Sequence, residues 1–488
     1  MPTGSFFVSD GSGTLTILDN TTVSRSVGVA TTSWLRITNI SLGLTTLQHT
    51  FSDDLDFLIL GPDGRNLEFW SDSGGASTIN GSYVISDLGA SSLSDTTANA
   101  PTTYRPTDHA GTGGPETSSN WSGLAAMPIN HPGPTGSATF ASAFGGAWLP
   151  DTTWTLKIRD DVAGFAGSLA AWSITFDYRI IVKPHDFDGG FFSDLLWQNN
   201  DGTPGMWLMT GFAATAVGAV GPHSPFPFNP GPSWHIKAAG DFNDDGKSDI
   251  LWQNLDGTPA IWLMNGMTSI STGAAGSFNP GPSWHIKAAA DFNFDGKSDI
   301  LWQGDDGTPA IWLMNGLNAL ATAAVGPFNP GPSWQIKGTG DFNNDGMSDI
   351  LWQSTDGTPA IWLMNGMSFI TGGAAGPFNP GPSWQIKGTG DFDNDGMSDI
   401  LWQNTNGQVA IWLMNGLTAT TVGAVGPFNP GPSWHVKGTG DYDGNLRSDI
   451  LWQADDGTPA IWFMNGMSFV AGGVAGSFNP GSDWHVIG

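Results

Sequence analysis

Apolar residues occur in short runs separated by turn residues, and from Asp241 onward this pattern returns every 50 residues, with an earlier and poorer copy at Asp186. One unit reads WHIKAAGDFNDDGKSDILWQNLDGTPAIWLMNGMTSISTGAAGSFNPGPS. Its short apolar runs predict strands at 234–240, 249–254, 258–264 and near 269–275. The dipeptides Asp256-Gly257 and Asn265-Gly266 suit tight hairpin turns that need positive φ. The unit is therefore predicted to be one four-stranded antiparallel propeller blade.

Six such units can be counted from the aspartate-rich segments that follow the first strand of each unit. These segments begin at Asp186, Asp241, Asp291, Asp341, Asp391 and Asp441. The third strand, AIWLM, is apolar on both faces and is expected to lie buried between neighbouring blades. Residues 484–488 repeat the first strand once more, whereas segment 179–185 matches that strand poorly. The final copy is therefore expected to complete the first blade and close the ring, and residues 179–488 are predicted to form a β-propeller of about six blades.

Residues 1–178 contain no copy of the repeat, and their apolar stretches alternate with turns and with a Ser/Thr/Gly/Pro-rich stretch at 91–134. This pattern predicts a separate, jelly-roll-like β-sandwich in front of the propeller. The fold class is therefore all-β, with a domain boundary near Tyr178.

Composition adds a strong bias toward aspartate. The formal net charge is −28, and of 44 acidic residues only Glu68 and Glu116 are glutamate. Aspartate suits turns and oxygen-coordinating metal loops, so the bias indicates cation sites. With only 16 Lys plus Arg, the charge excludes nucleic acid as a partner. The chain has no cysteine, which excludes thiolate metal sites, and no apolar stretch is long enough to predict membrane insertion.

The loop DFNDDGKSD presents oxygen atoms at its positions one, three, five and nine, with a main-chain carbonyl at position seven, as hard cations require. It is not an EF-hand, because position twelve is Trp252 and a strand follows. The same pattern gives predicted calcium ligands in four loops: Asp241, Asn243, Asp245, Lys247 and Asp249; Asp291, Asn293, Asp295, Lys297 and Asp299; Asp341, Asn343, Asp345, Met347 and Asp349; Asp391, Asp393, Asp395, Met397 and Asp399.

The first and last loops are expected to bind more weakly. In the first loop Gly190 replaces the carboxylate at position five. The last loop has Asn445 there and Leu446 in place of the turn glycine, and leucine resists the left-handed conformation. The ligands expected in these weaker sites are Asp186, Asp188, Asp194, Asp441, Asp443, Asn445 and Asp449.

These units resemble the FG-GAP/VCBS repeats of integrin α-chain propellers and of many bacterial extracellular proteins. The resemblance covers about 300 residues and implies a propeller with one structural calcium per loop, between the first and second strands of a blade. Residues 53–66 and 148–176 resemble the P domain (Homo B) of proprotein convertases. That family implies a sandwich that accompanies a subtilisin-like protease, but no Ser/His/Asp constellation stands in its motif context here.

Two further groups of residues have open interpretations. Five aspartates of the N-terminal domain either bind another cation or are ordinary turn carboxylates: Asp53, Asp54, Asp56, Asp160 and Asp161. Trp252 and Trp262 stand in apolar strands and are expected in the core. Tryptophans that precede His or Gln are either core residues or a sugar-binding surface: Trp284, Trp334, Trp384 and Trp434.

The expected function is a non-catalytic, calcium-stabilised, secreted or cell-surface protein that binds an extracellular protein or glycan through its propeller. Extracellular calcium is millimolar, which would fill loops of this type. Residues 1–20 do not read as a signal peptide, so export would need a signal already removed or a route without one. The alternatives are a lectin, an accessory part of a secreted serine protease, and a self-associating, filament-forming subunit.

Overall fold

The structure is a computed structural model, and it describes residues 3–29, 35–62, 64–109, 117–122, 124, 127–144, 152–180, 184–221 and 229–488. The chain forms two compact units, Thr3–Ile180 and Ile181–Gly488. Residues 148–151 and Asp63, which belong to the segments resembling a P domain, lie outside the described residues, as do residues 181–183 of the poorly matching first strand.

The first unit contains eleven described strands: β1 Thr3–Ser9, β2 Leu15–Ile17, β3 Thr22–Val29, β4 Leu35–His49, β5 Leu55–Leu60, β6 Asn66–Ser71, β7 Ile79–Ser86, β8 Thr103–Tyr104, β9 Thr107–Asp108, β10 Thr152–Asp160 and β11 Gly167–Ile180. Its described helices are all short: α1 Phe140–Phe144 and the 3-10 turns Ser52–Asp54 and Ser118–Asn120. None of the described helices is long and apolar enough to cross a membrane.

These strands form two mixed sheets. One has the order β1-β11-β4-β7-β8, with β2 paired to β11, and the other has the order β3-β10-β5-β6-β9. Most neighbours are antiparallel, but β6 and β9, and β7 and β8, pair in parallel. Buried side chains from both sheets, such as Ile40 and Phe57, share one apolar core. The predicted N-terminal β-sandwich is thus confirmed.

The second unit contains six four-stranded antiparallel sheets, each with an innermost strand, two middle strands and an outer strand. The innermost strands are β15 Trp234–Gly240, β19 Trp284–Ala290, β23 Trp334–Gly340, β27 Trp384–Gly390, β31 Trp434–Gly440 and β35 Trp484–Ile487. The second strands are β12 Leu195–Asn199, β16 Asp249–Asn254, β20 Asp299–Gly304, β24 Asp349–Ser354, β28 Asp399–Asn404 and β32 Asp449–Ala454.

The third strands are β13 Pro204–Thr210, β17 Pro259–Asn265, β21 Pro309–Asn315, β25 Pro359–Asn365, β29 Val409–Asn415 and β33 Pro459–Asn465. The fourth strands are β14 Ala213–Ala219, β18 Thr268–Ala274, β22 Asn318–Ala324, β26 Ser368–Ala374, β30 Thr418–Val425 and β34 Ser468–Val474. The predicted strand positions are confirmed to within one or two residues.

The six sheets are the blades of a closed β-propeller. Each innermost strand contacts the next around the ring, and β35 contacts both β31 and β15. The first blade has the order β14-β13-β12-β35, so its innermost strand comes from the end of the sequence. Trp197 of β12 pairs with Val486 of β35 in antiparallel register. The predicted closure of the ring by residues 484–488 is confirmed.

The cores of the propeller lie between blades. Ile361 and Leu363 of β25 pack against the fifth blade, while Trp362 and Met364 of the same strand pack against the third. The third strand is therefore buried on both faces, as its apolar pattern predicts. Trp252 and Trp262 are likewise core residues, with ring centroids 4.8 Å apart.

The hairpin turns lie where the sequence predicts them, but each has one residue at positive φ and not two. Between the second and third strands, Gly257 (φ +95°) donates its N–H to the Asn254 carbonyl at 2.9 Å. Between the third and fourth strands, Gly266 (φ +60°) is the first central residue and Met267 is the second. The first turn matches a three-residue loop with a left-handed glycine, and the second matches a type II′ turn. Each of these turn types needs only one glycine.

A buried glutamine in the second strand of each blade joins that blade to the next one. In the fourth blade, Gln353 Nε2 donates to the Trp384 carbonyl at 2.8 Å, and the Ile386 N–H donates to Gln353 Oε1 at 3.1 Å. The same pair of bonds is made by Gln198, Gln253, Gln303, Gln403 and Gln453. The last of them bonds to β35, so the series of glutamine clamps runs completely around the ring.

Candidate metal centres

Five of the six aspartate-rich loops connect an innermost strand to the second strand of the same blade, and the loop at Asp186 lies directly before β12. The first aspartate of each loop organises it. In the loop after β15, Asp241 Oδ1 accepts the Asp244 N–H at 2.6 Å, and Oδ2 accepts the Gly246 N–H at 2.9 Å. The carboxylate at position one thus holds the turn through the main chain of positions four and six. The bond from position six recurs at 2.8–2.9 Å in the other five loops.

Each loop places two residues, at positions four and six, in the left-handed region. The four predicted strong loops have glycine at position six and a non-glycine residue at position four, for example Asp244 (φ +63°). The first and last loops reverse this arrangement. Gly444 (φ +78°) is at position four of the last loop, and Leu446 (φ +73°) is at position six. Leu446 thus adopts the conformation that the turn needs, as one non-glycine residue does in every loop, and the weaker binding expected of this loop stays a prediction.

The aspartate at position nine is the most buried oxygen donor of each loop. Asp249 is fully buried, and its two carboxylate oxygens accept the main-chain N–H groups of Phe242 at 2.8 Å and Met264 at 2.7 Å. Burial, together with a smaller effect of the charges of Asp241 and Asp245, raises the pKa of Asp249 to about 8. Neutral hydrogen-bond donors do not offset the cost of burying this carboxylate, whereas a cation in the loop would favour its ionised form.

The same position is buried in the other loops, in Asp194, Asp299, Asp349, Asp399 and Asp449, where burial again raises the pKa to about 8. Six loops thus share one buried, electrostatically unfavourable carboxylate next to other acidic groups.

Carboxylates from positions one, three and nine converge in three of the loops, with oxygens within 4.8 Å of one another: Asp186, Asp188 and Asp194; Asp391, Asp393 and Asp399; Asp441, Asp443 and Asp449. Two of these three are the predicted weaker loops. They have aspartate at position three, where loops two to four have asparagine. Its negative charge replaces the one that is missing at position five, where these loops have Gly190 or Asn445. A comparison of position five alone does not reveal this replacement.

In loops two to four, the position-three asparagine lies beside the position-five carboxylate. Asn243, for example, donates its Nδ2 to Asp245 Oδ2 at 3.1 Å, and Asn293 and Asn343 make the same bond. If the amide rotates, its oxygen takes the place of its nitrogen. The asparagine oxygen can then coordinate a cation together with the position-five carboxylate. The position-five carboxylate also accepts the N–H of position seven at 2.8–3.0 Å, at Lys247, Lys297, Met347 and Met397.

The five aspartates of the sandwich occupy different environments. Asp160 Oδ2 lies 3.0 Å from His49 Nε2, and Asp56 Oδ2 lies 3.2 Å from Arg159 Nη1. Asp54 is buried, and burial raises its pKa to about 7, with a further contribution from the charge of Asp160. Asp54, Asp56 and Asp160 are thus buried and not simply solvated turn residues, and Asp56 is in an ion pair with Arg159.

Sequence reasoning missed a buried triad in the sandwich. His131 Nδ1 lies 2.9 Å from Asp108 Oδ2 and 3.0 Å from Glu68 Oε2. The hydrogen bond to Asp108, together with the one to Glu68, raises the pKa of His131 to about 10. One signal was present in the sequence, because Glu68 is a rare glutamate inside an apolar strand of an aspartate-rich chain.

The four tryptophans considered for sugar binding begin the innermost strands β19, β23, β27 and β31. Trp284, Trp334, Trp384 and Trp434 are half-buried and pack against the cores between blades. The main-chain carbonyl of each also accepts the clamp glutamine of the preceding blade. These residues therefore contribute to packing, and their role in sugar binding remains a prediction.

Comparison with known proteins identifies the repeats. Residues 241–302, 291–352 and 391–452 match the FG-GAP-like repeat family. Comparison with curated proteins gives no match. Among solved structures, the Dos1 propeller is similar with 8% identity and a TM-score of 0.34, over 61% of this chain and 71% of that one.

A second similar structure is BBS1N in complex with ARL6DN, with 11% identity and a TM-score of 0.33, over 62% of this chain and 86% of that one. The P-domain resemblance of the sandwich stays a prediction. The propeller of this chain contains FG-GAP-like repeats whose loops bring acidic side chains together.

Proposed function

We propose that this protein is a non-catalytic, calcium-binding protein of the cell surface or the extracellular medium. In this proposal the propeller binds an extracellular protein or glycan, and calcium in the blade loops stabilises it. The observation that carries the proposal is the fully buried position-nine aspartate, which occurs in all six loops beside other acidic groups. Buried charge of this kind is costly unless it is paired or coordinates a metal.

The donor set selects the type of cation. The predicted ligands are carboxylate, amide and main-chain oxygens, and the chain has no cysteine. Oxygen donors on flexible loops favour calcium, whereas zinc and copper favour sulfur and imidazole. Calcium would supply the positive charge that the clustered carboxylates lack.

Thermal unfolding with and without a calcium chelator tests the proposal. Removal of calcium leaves carboxylates facing one another, and two charges about 4 Å apart repel by roughly 1–4 kcal/mol, depending on the effective dielectric constant. The melting temperature of the propeller should therefore fall markedly in excess chelator. Equal melting temperatures in chelator and in millimolar calcium would contradict the proposal.

A single-site comparison sharpens the test. Asp399→Asn removes a buried carboxylate from the loop that has aspartate at all four of its predicted side-chain ligand positions. Asp356→Asn changes an exposed turn aspartate and reproduces Asn406, which the fifth blade has naturally at that position. Only the first substitution should reduce the number of calcium ions bound in a calorimetric titration.

A lectin is the second candidate, because Trp284 and its equivalents keep part of their surface exposed at the start of the innermost strands. Exposed aromatic faces beside hydrogen-bonding groups suit sugar rings. A glycan array with calcium and with chelator would identify such a ligand.

Incubation with peptide substrates should give no hydrolysis, and cleavage that a serine-directed inhibitor abolishes would contradict the non-catalytic proposal.

A further inference from the structure

Five of the 16 basic residues of this acidic chain occupy one position of the repeat. They are the fourth residues of the innermost strands: Lys237, Lys287, Lys337, Lys387 and Lys437. Because the innermost strands contact one another in a closed ring, these lysines surround the axis of the propeller. A chain with a net charge of −28 thus concentrates nearly a third of its positive charge in a single ring.

A local irregularity sets each lysine apart from the regular strand. The pairing between the first and second strands of a blade shifts at this residue, so that Ile236 pairs with Trp252 and Ala238 with Leu251. Lys237 is the extra residue of a β-bulge, and the same shift occurs in the other four blades that have the lysine. Bulges re-aim side chains, and here the same one recurs around the ring.

The lysines reach from one innermost strand toward the next. Lys287 Nζ lies 3.3 Å from Gln335 Oε1, and Lys337 Nζ lies 3.4 Å from Gln385 Oε1. Both acceptors belong to the following blade, two residues before its own lysine. These two ammonium groups are therefore held at the junctions of neighbouring strands, where an uncharged amide is the acceptor.

The ammonium groups also act on one another. Partial burial lowers the pKa of Lys287, and the charges of Lys237 and Lys337 lower it further, while Asp305 acts in the opposite direction. Burial also lowers the pKa of Lys337, with a contribution from Lys387, and the pKa of Lys437 is lowered in the same way. Like charges held this close repel each other, and a bound anion would relieve the repulsion.

The first blade breaks the pattern. Its innermost strand β35 has Ile487 where the other five have lysine. The ring is thus open on one side. Ile487 also differs from the lysines in its setting, because it pairs with Leu196 without a bulge and packs against the apolar core between the first and second blades.

We propose that the ring of lysines around the propeller axis binds a small, multiply charged oxyanion, namely a sulfate or phosphate group. Ammonium groups recognise such groups as point charges through charge-assisted hydrogen bonds. The negative field of the whole protein repels extended polyanions, so a compact group at the axis fits better than a long anionic polymer. This proposal gives the chemical class of the ligand for the proposed binding function. It rests on that function only because it takes the propeller as the part of the protein that binds.

Calorimetric titration with inorganic sulfate, in calcium-containing buffer, tests the proposal. About one sulfate should bind per chain, and added sodium chloride should weaken the binding because it screens the charges. The double variant Lys287→Met/Lys337→Met should lose at least about tenfold in affinity, since each lost contact is to an ionised group. Arg65→Gln/Arg105→Gln removes the same two charges from the sandwich and should bind as the wild type does.

The milder variant Lys387→Gln removes one charge from the ring and should bind sulfate several-fold more weakly. This variant also decides the matter if the double variant fails to fold. A sulfated disaccharide in a parallel titration distinguishes the two sources of the group. Tighter binding of the disaccharide shows that the ring recognises a sulfate carried on a glycan, and tighter binding of inorganic sulfate shows that it binds the free ion.

No sulfate binding, or equal affinity in the wild type, the double variant and Lys387→Gln, would overturn the proposal. The chelator experiment distinguishes failure of the oxyanion proposal from failure of the calcium proposal. If the melting temperature does not respond to chelator but sulfate binding still depends on the lysines, then calcium binding fails and the oxyanion site stands. The reverse result rejects the oxyanion site alone.

Discussion

Replacement of Gln353 by methionine tests whether the glutamine clamps hold the propeller together. The glutamine side chain is 2% exposed, and it bonds to one C=O and one N–H of the next blade. Methionine has a similar volume and shape but makes neither bond. The Trp384 carbonyl and the Ile386 N–H would then be left without this partner inside the protein.

The expected cost follows from these two groups. A buried main-chain group that loses its partner costs about 1–3 kcal/mol, so Gln353→Met should lower the free energy of unfolding by about 2–5 kcal/mol. The cost should appear mainly as a lower denaturation midpoint with an unchanged slope, because the surface exposed on unfolding stays the same.

Unfolding in guanidinium chloride, followed by tryptophan fluorescence in calcium buffer, measures this change. Eighteen of the 24 tryptophans lie in the propeller, so the signal reports mostly on that unit. Gln385→Met is the matched control, because this glutamine is only half-buried. It loses a bond to the Pro382 carbonyl at 3.0 Å and one from Lys337 Nζ at 3.4 Å, and water can replace both partners. It should change stability by less than about 0.5 kcal/mol. A Gln353→Met protein as stable as the control would refute the view that the clamps stabilise the ring.

Three further predictions concern the loops, the sandwich and the tryptophans. The loop that begins at Asp391 has aspartate at positions one, three, five and nine, whereas each of the other five loops has three aspartates at these positions. Calcium should therefore fill this loop first, and six equivalent sites in a titration would contradict this order. The ion pair of His131 should contribute stability in full below pH about 6.5. This contribution should be lost as pH rises toward about 10, because the pKa is higher in the folded state. His131→Asn should remove this part of the pH dependence, and an unchanged pH profile would show that the pair contributes nothing. Trp384→Ala should lower stability by about 2–4 kcal/mol because the ring packs between blades, whereas an intact fold with lost sugar binding would support the lectin candidate.

Much of the propeller could be predicted because each blade repeats the same local signals. The apolar runs, the turn glycines and the final copy of the innermost strand were enough to give the strands, the number of blades and the closure of the ring. Closure of the ring could be predicted because Trp484 and the residues after it repeat the innermost strand, of which the first repeat has no good copy.

The features that were missed depend on contacts between segments distant in sequence. Gln353 stands in an otherwise apolar strand, and nothing local shows that it bonds to a strand 31 and 33 residues later. Glu68, Asp108 and His131 are likewise brought together only by the sandwich topology. The left-handed conformation of Leu446 was missed because a single glycine was taken as the requirement, whereas each loop has two such positions.

The pairing of β35 with β12 also has a consequence for how the propeller folds. Five blades consist of consecutive segments, so their contacts are local and can form early. The first blade needs a strand from the opposite end of the repeat array, and until it arrives β12 presents an open edge. The β35 strand of another copy offers the same hydrogen bonds. Closure within one chain therefore competes with strand exchange between chains, and crowded or slow refolding favours linked propellers over single ones.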